Sequence, residues 1–288
     1  MACSKVVNMS FGKNPKVMVV QKDVNKNKLE HIESFLEIAK KNDCDFIVFP
    51  EYAIGNGLFE KYNHEETQLL KTSLQDLARK YEQYIVIAFL EKQENVFYNC
   101  GFIINKKGEF ICCQKKCALL PGDEKNALIP GKEISVVETE FGKISVLICR
   151  DFFYPELTNE ASRKGAKIIF CPMHYIYWSN EYEHNKSVIK SQFPIDSAFK
   201  ALTIIPQARA IENEVFFVTA NAAGNRESSE NVEFLAGHSI IAAPLHGKLQ
   251  QLSHYDEGFM IQELNFDIIE DSKNTFALTD NKPEIDKL

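Results

Sequence analysis

The chain has 288 residues, of which 45% are hydrophobic and 25% are charged. This composition is ordinary for a globular protein and excludes extensive disorder. The net charge of −7 argues against nucleic acid or an anionic membrane surface as the main partner. No stretch approaches the roughly 20 apolar residues of a transmembrane helix, and the N-terminal segment lacks a signal-peptide core. We therefore expect a cytoplasmic protein.

The first half of the chain alternates strand and helix patterns. Apolar residues at helical spacing predict helices at 25–41 and 65–81. β-Branched and apolar runs predict strands at 16–21, 45–50, 84–90, 99–105 and 109–113. The run DFIVFP at 45–50 has no polar alternation, which is typical of a strand buried on both faces.

The second half repeats the alternation. We predict strands at 143–149, 167–171, 214–220, 238–243 and 258–264. Helices are predicted at 155–164 and in a segment ending at 209–214, with Pro206 in its first turn. The segments DFIVFPE (45–51) and AKIIFCPM (166–173) look like counterparts, which indicates two related β/α halves sharing one core.

The domain prediction is a single unit. Its core spans about 16–264, and a polar C-terminal tail at 267–288 is expected to pack over a partner. Two long segments, 115–133 and 173–193, lack clear periodicity. Loops of this length in a compact domain are usually functional or disordered, and both follow strands, where open α/β sheets tend to place their sites.

The first candidate for chemistry is one of eight cysteines. They form no CxxC pair and no cluster with histidine, so we predict free thiols and no metal site. Cys149 ends the strand KISVLIC and precedes RDFFYPE, where a helix N-terminus lowers a thiol pKa and backbone N–H groups can hold an oxyanion. The alternative is an ordinary buried cysteine, which is common.

Two further candidates also stand at strand ends. Glu51 follows DFIVFP and could accept a thiol proton, although a surface glutamate is common after a strand. Lys115 and Lys116 close ICCQKK, and a lysine beside the nucleophile could stabilise a developing oxyanion. A solvated pair of lysines is the alternative.

Six motifs in order resemble the nitrilase-like, or carbon–nitrogen hydrolase, superfamily. They are FPE (49–51), GEFICCQKKCALLPGDE (108–124), LICRDFFYPE (147–156), GAKIIFCP (165–172), RAIENEVFFVTAN (209–221) and AGHSIIAAP (236–244). The resemblance runs from about residue 16 to residue 264. It implies an α/β fold, a four-layer α-β-β-α sandwich of two mixed sheets.

The resemblance also implies catalytic roles for Glu51, Lys116 and Cys149. The family spacing, counted from Gly108, selects Lys116 over Lys115. Glu124 resembles the family's second glutamate, which positions the lysine and the substrate, with Asp123 as a competitor for that role. Arg209, Glu212 and Asn213 match a family helix and are expected to brace the fold.

The implied reaction is hydrolysis of a small carboxamide, with ammonia released and a thioester formed on Cys149. No metal or organic cofactor is implied, and homodimers or larger assemblies are common in the family. The alternatives are an N-carbamoyl amine or amino-acid amidohydrolase, a non-catalytic ligand-binding homologue, and a papain-like enzyme with histidine in place of Glu51.

Departures from the family pattern concern the substrate. In nitrilases, the sequence at the nucleophile resembles C-W-E, whereas this chain has Cys149–Arg150–Asp151. This difference disfavours nitriles as substrates. Arg150 could pair with a substrate carboxylate or bridge to a surface acid. His174 belongs to a segment, with Tyr175, Tyr177 and Trp178, that could line the pocket or pack against a partner subunit.

Overall fold

The computed structural model describes residues 13–26, 28–54, 63–178, 196–227, 232–252 and 256–280. The strands are β1 Lys16–Gln21, β2 Phe46–Glu51, β3 Tyr84–Gln93, β4 Val96–Ile104, β5 Phe110–Lys115, β6 Val136–Thr139, β7 Gly142–Val146, β8 Ile168–Met173, β9 Ile176–Trp178, β10 Phe216–Asn221, β11 Asn225–Glu227, β12 Val232–Leu235, β13 Ile240–Ala243, β14 Gly247–Gln251 and β15 Gly258–Glu263.

The α-helices are α1 Leu29–Lys41, α2 His64–Tyr81, α3 Asp123–Ala127, α4 Pro155–Arg163, α5 Asp196–Asn213 and α6 Asp267–Thr275. A 3₁₀ helix, Cys149–Phe153, precedes α4. The start of α2 is capped by Asn63, whose side-chain oxygen accepts the N–H groups of Glu65 and Glu66. None of the helices within the described residues is long and apolar enough to cross a membrane.

Two six-stranded mixed sheets form the centre of the molecule. Their strand orders are β15-β1-β2-β3-β4-β5 and β14-β13-β10-β8-β7-β6. Each sheet has three parallel strands in the middle, β1–β2–β3 in one and β7–β8–β10 in the other, with antiparallel neighbours outside them. Every residue of β2, β8 and β10 is buried, because both faces of these strands are covered.

Helices cover the outer face of each sheet, so the layers are α-β-β-α. One core cluster packs α1 and α2 against the first sheet, and another packs α4 and α5 against the second. The largest cluster lies between the two sheets and joins Val48 and Val86 to Val146 and Phe170. The four-layer α/β sandwich predicted from the sequence is confirmed.

A glycine permits the close approach of the two sheets. A Cβ on Gly101 of β4 would lie 2.5 Å from Cγ1 of Val146 in β7, closer than real Cβ contacts. Packed sheets lie about 10 Å apart, and a larger residue at this position would force the two sheets to separate locally. The two predicted counterpart segments meet at the same interface, as β2 and β8, the middle parallel strands of the two sheets.

Two expectations about helices differ from the structure. Pro206 lies in the interior of α5, not in its first turn. Buried Leu202 and Ala210 anchor the helix on both sides of the proline, and this packing outweighs one lost backbone hydrogen bond. The predicted tail begins with α6, which packs onto its own chain through Ile269 and Ser272. Residues 281–288 lie outside the described residues.

A small third sheet consists of short strands that the sequence analysis did not predict. It contains β11, β12 and β9, all paired antiparallel. The β9 strand belongs to the 173–193 segment, whose remaining residues from 179 onward lie outside the described residues. The third sheet therefore lies beside the carboxyl end of β8.

Candidate active site

Three predicted side chains meet where strands of the two sheets end. Glu51 is the last residue of β2, Lys116 follows β5, and Cys149 begins the 3₁₀ helix after β7. Two antiparallel steps separate β3 from β5, so β5 points in the same direction as β2. Their carboxyl ends therefore share one edge. The exposed fractions are only 1% for Glu51, 1% for Lys116 and 5% for Cys149.

Lys116 lies between two carboxylates. Its Nζ is 3.0 Å from Oε1 of Glu51 and 2.8 Å from Oε1 of Glu124. The other oxygen of Glu124 accepts the backbone N–H of Leu120 at 2.7 Å, which fixes the carboxylate against the loop after the lysine. Lys115 points elsewhere, with its Nζ 3.5 Å from the centre of the Tyr98 ring. The side chain of Asp123 lies outside the described residues.

Burial and charge together set the protonation of this cluster. Burial raises the pKa of Glu51, although Lys116 opposes the shift. Burial, reinforced by the charge of Glu51, also raises the pKa of the Cys149 thiol well above its ordinary value. For Lys116, burial alone would lower the pKa, but attraction to Glu51, Cys149 and Glu124 raises it well above its ordinary value. The resting state is therefore a neutral thiol beside an ammonium group and a carboxylate that is more basic than usual.

The cysteine turn is held by a buried carboxylate. Cys149 has φ of +43°, in the left-handed region that non-glycine residues rarely adopt. The carboxylate of Asp151 accepts the N–H groups of Ile148 at 3.0 Å, Cys117 at 3.1 Å and Ala118 at 2.6 Å. Burial raises the pKa of Asp151 to about 6, and these N–H donors oppose the shift. One side chain thus joins the turn of the thiol to the loop of the lysine.

A second brace comes from α5. Arg209 donates from Nε to the carbonyl of Phe152 and from Nη2 to the carbonyl of Phe153, both at 3.1 Å. Its Nη1 also bonds Glu212 at 2.8 Å. The predicted bracing role of Arg209 therefore has a specific target, the 3₁₀ helix that begins at Cys149.

Asn99 and Tyr52 also belong to the cluster, and sequence reasoning missed both. Nδ2 of Asn99 lies 2.6 Å from Oε1 of Glu51 and 2.8 Å from the hydroxyl of Tyr52. The ring of Tyr52 also meets the ring of His174 edge-on, with centroids 5.6 Å apart. A fully buried amide within the apolar strand β4 was the available signal, because buried polar groups need a partner.

The two other predicted substrate-binding residues flank Cys149. The backbone of His174 forms a hydrogen bond to the Cys149 thiol and lowers its pKa, against the effect of burial. Arg150 follows the thiol directly and donates from Nη2 to the hydroxyl of Tyr154 at 3.3 Å. The side chains of Tyr177 and Trp178 lie outside the described residues.

The other cysteines within the described residues offer no comparable site. All seven cysteines that the structure describes are free thiols. Cys171 is buried in β8, and burial raises its pKa well above the ordinary value. Cys113 is exposed on β5. Within the same described part of the chain, no three His, Cys, Asp or Glu side chains are grouped to hold a metal ion.

Comparison with known proteins identifies relatives along nearly the whole chain. The carbon–nitrogen hydrolase family model matches residues 16–274. An ω-amidase of Saccharomyces cerevisiae is 27% identical over 277 residues, covering 87% of this chain and 86% of the yeast protein. A 2-oxoglutaramate amidase of Bacillus subtilis is 28% identical over 246 residues, covering 82% of this chain and 84% of that protein.

Solved structures share the same fold. A carbon–nitrogen hydrolase from Helicobacter pylori G27 superposes with a TM-score of 0.82 at 20% identity, covering 94% of this chain and 96% of the other. A mutant amidase from Nesterenkonia sp. AN1, in complex with acrylamide, gives a TM-score of 0.77 at 18% identity, with 96% and 97% covered. With the family match over residues 16–274, the conclusion is that this chain belongs to the carbon–nitrogen hydrolase family.

Proposed function

We propose that the protein is an amidase that hydrolyses a small carboxamide through a thioester on Cys149. The observation that carries this proposal is the contact of Lys116 with both Glu51 and Glu124, beside a thiol whose pKa responds to all three charges. A nucleophile, a base and a fixed cation are the groups that acyl transfer from an amide needs.

In the first half of the reaction, Glu51 takes the proton of Cys149 as the sulfur attacks the amide carbon. The raised pKa of Glu51 makes the carboxylate a stronger base, as this step requires. The negative oxygen of the tetrahedral intermediate is held by the ammonium of Lys116 and the backbone N–H of Arg150. The C–N bond then breaks, Glu51 protonates the departing nitrogen, and ammonia leaves a thioester on the sulfur.

In the second half, water attacks the thioester carbon while Glu51 accepts its proton. The same two donors hold the second tetrahedral oxygen. The C–S bond then breaks, the proton returns to the sulfur and the carboxylic acid departs. Glu124 and Asn99 hold Lys116 and Glu51 in place throughout, so the two steps use one arrangement of side chains.

Amides rather than nitriles are the proposed substrates. The yeast and Bacillus relatives are both named as amidases. The sequence Cys149–Arg150–Asp151 also departs from the C-W-E pattern of nitrilases. A small ω-amide of a dicarboxylic acid is therefore the first class to assay.

The experiment measures ammonia release from a panel of small amides, carbamoyl compounds and nitriles. Cys149→Ala and Glu51→Gln should each lower kcat by on the order of 10⁴-fold or more while the protein stays folded. Cys113→Ala is the matched control, since it removes an exposed free thiol and should keep wild-type activity. Mass spectrometry after rapid quenching should detect the acyl group on the Cys149 peptide.

Full activity of Cys149→Ala would refute the proposed nucleophile. Full activity of Glu51→Gln would refute the base and would favour a histidine-dependent mechanism instead.

A further inference from the structure

We propose that Cys113 and Cys100 are a site of reversible oxidation, at which hydrogen peroxide converts the two thiols into a disulfide between β5 and β4. The disulfide displaces Asn99 and Lys116 and thereby lowers the rate of catalysis. This effect on the rate rests on the proposed amidase function, whereas the formation of the disulfide does not.

The two thiols lie on the same face of neighbouring strands. In the register of β4 and β5, Cys100 is opposite Lys115, and Phe102 is opposite Cys113. Residues two apart on a strand share one face, so Cys100 and Cys113 are diagonal neighbours on that face. Their side chains form a hydrogen bond with each other. The two sulfur atoms are therefore already in contact in the reduced protein.

The two thiols differ in exposure and in acidity. Cys113 is exposed, whereas Cys100 is fully buried. The hydrogen bond from Cys100 lowers the pKa of the Cys113 thiol against the effect of burial. The charges of Lys71 and Lys115 also lower it. The same hydrogen bond, together with burial, raises the pKa of Cys100. Cys113 is thus the thiol that a dissolved oxidant reaches and attacks as a thiolate, and Cys100 is its resolving partner.

A buried carboxylate stands beside the pair. Phe89 of β3 is opposite Cys100, so Glu91, two residues further on, lies diagonal to Cys100 on the same face. Glu91 is 6% exposed, and its Oε1 accepts a hydrogen bond from Lys71 at 2.9 Å. Its Oε2 is buried and has no hydrogen-bond partner among the described residues. This oxygen is therefore available to accept the proton of the Cys100 thiol.

The oxidation has two steps. The thiolate sulfur of Cys113 attacks one oxygen of hydrogen peroxide, the O–O bond breaks, and a sulfenic acid forms. The hydroxide that leaves takes up the proton that the thiol had released and becomes water. The sulfur of Cys100 then attacks the sulfur of Cys113, so that the S–S bond forms and the S–O bond breaks. The Cys100 proton passes by way of Glu91 to the departing hydroxide, which gives a second water. The two thiols lose two electrons in total, and the peroxide gains them.

The disulfide would act on the strand ends that carry the candidate active site. Diagonal neighbours in an antiparallel pair are about 7–8 Å apart, whereas the Cα atoms of a disulfide are usually about 4.4–6.8 Å apart. The strands must therefore shift when the bond closes. Cys100 directly follows Asn99, whose carbonyl accepts the backbone N–H of Lys116 at 2.8 Å. A shift here moves Lys116 relative to Glu51, and a misplacement of about 1 Å costs about 100-fold in rate.

The first test detects the bond itself. The reduced full-length protein is treated with hydrogen peroxide, digested without reduction and analysed by mass spectrometry. The peptide of Cys100 should be linked to the peptide of Cys113, and dithiothreitol should separate them. Cys113→Ala should form no link. In Cys100→Ala, Cys113 should stop at the sulfenic acid, which dimedone labels.

Cys112→Ala is the matched control. Cys112 is the neighbour of Cys113 on β5, but it is buried on the opposite face, in the core between the two sheets. Burial raises the pKa of its thiol to about 12. This variant should form the same link as the wild-type protein, which assigns the bond to Cys113.

The second test measures ammonia release before and after the same peroxide treatment. The rate should fall by roughly 10- to 100-fold in the wild-type protein and in Cys112→Ala, and dithiothreitol should restore it. Cys100→Ala and Cys113→Ala should keep their rates. Thermal melting of the reduced proteins verifies that each variant is folded.

An absence of the link between Cys100 and Cys113 in folded wild-type protein would overturn the proposed site. An equal loss of activity in all four proteins would overturn the effect on catalysis and would assign the damage to Cys149. The link is detected without any substrate, so its outcome is separate from a failure of the amidase proposal, which ammonia release by the reduced wild-type protein decides.

Discussion

The amide of Asn99 serves two groups of the site at once. Its Nδ2 donates to Glu51 and to the hydroxyl of Tyr52, and its Oδ1 is buried with no hydrogen-bond partner among the described residues. The side chain is therefore oriented by its donors alone. Its bond to Glu51 lowers the pKa of that carboxyl, against the larger effect of burial. Asn99 thus keeps the proposed base both in place and ionised.

Replacing Asn99 with leucine, which has a similar shape, tests this role. Loss of a buried hydrogen bond to a charged group costs roughly 1.5–3 kcal/mol, so kcat should fall by roughly 10-fold or more. The pKa of Glu51 should rise further. Since the base must be ionised, the acidic limb of the kcat profile should move to higher pH. Steady-state assays across a pH series measure both effects.

Asn274→Leu, at an exposed position of α6, serves as the control. An unshifted acidic limb in Asn99→Leu would show that Asn99 does not influence the protonation of Glu51.

Sequence reasoning could place Glu51, Lys116 and Cys149 because each stands at a strand end within a recognisable motif. It could not place Asn99, whose contact depends on sheet register. Glu51 pairs across to Ala88 of β3, and Asn99 pairs with Leu90 on the other side of the same strand. The two polar groups thus meet across an intervening strand, and a one-residue shift of register would turn Asn99 to the opposite face.

At the scale of elements, the 3₁₀ helix and the lysine loop form one unit. Asp151 accepts backbone N–H groups from both, with one oxygen on Ile148 and the other on Cys117 and Ala118. Arg209 also holds the 3₁₀ helix, and backbone hydrogen bonds from Lys116 to Asn99 and from Gly131 to Lys116 hold the lysine loop. Asp151 is the side chain that links the two segments directly.

Asp151→Asn should loosen this unit. Asparagine keeps one acceptor oxygen but turns an NH₂ group towards at least one N–H donor, so a favourable contact becomes repulsive. We expect kcat to fall by roughly 10- to 100-fold, and the free energy of unfolding to fall by about 1–3 kcal/mol. Enzyme assays and urea unfolding measure the two quantities. An Asn variant with wild-type kcat would show that the turn is held by other contacts.

The strongly apolar elements were predictable because burial on both faces leaves a continuous hydrophobic run, as in β2 and β8. Short strands were not. β6, β9 and β14 carry few buried residues or lie in segments with mixed composition, and their pairing partners rather than their own sequences make them strands. The helix α3, which bears Glu124, was also missed, because its five residues are too few to show a helical pattern.

At the scale of the whole molecule, the C-terminal part closes the fold on itself. β15 pairs along the full length of β1, and α6 follows it onto the body. Beyond α6, Thr279 donates to the carboxylate of Glu214 from its backbone N–H and from its hydroxyl. Leu278 and Ser272 donate to the other oxygen at 3.3 Å. Glu214 therefore ties the last described residues to the end of α5.

Glu214→Gln should weaken this closure. Burial would raise the pKa of Glu214, but the hydrogen bonds from Thr279, Leu278 and Ser272 outweigh it and hold the pKa below the ordinary 4.5. The stabilisation is therefore present above pH 4.5 and is lost as the pH falls through the lowered pKa. At pH 7 the glutamine variant should unfold more easily by roughly 1–3 kcal/mol.

Urea unfolding at pH 7 and at an acidic pH measures this difference, which should shrink in acid. A gap between wild type and Glu214→Gln that stays constant with pH would contradict the assignment.

The three proposed catalytic groups are divided between the two sheets, and this division affects when the site is assembled during folding. Glu51 and Lys116 belong to the first sheet, whereas Cys149 comes from the second. The edge strand β15, which pairs with β1 of the first sheet, comes after Cys149 in the chain. A nascent or half-assembled chain therefore holds a base without a nucleophile, or a nucleophile without a base. We expect the onset of catalysis during refolding to report the docking of the two sheets, later than the formation of either one.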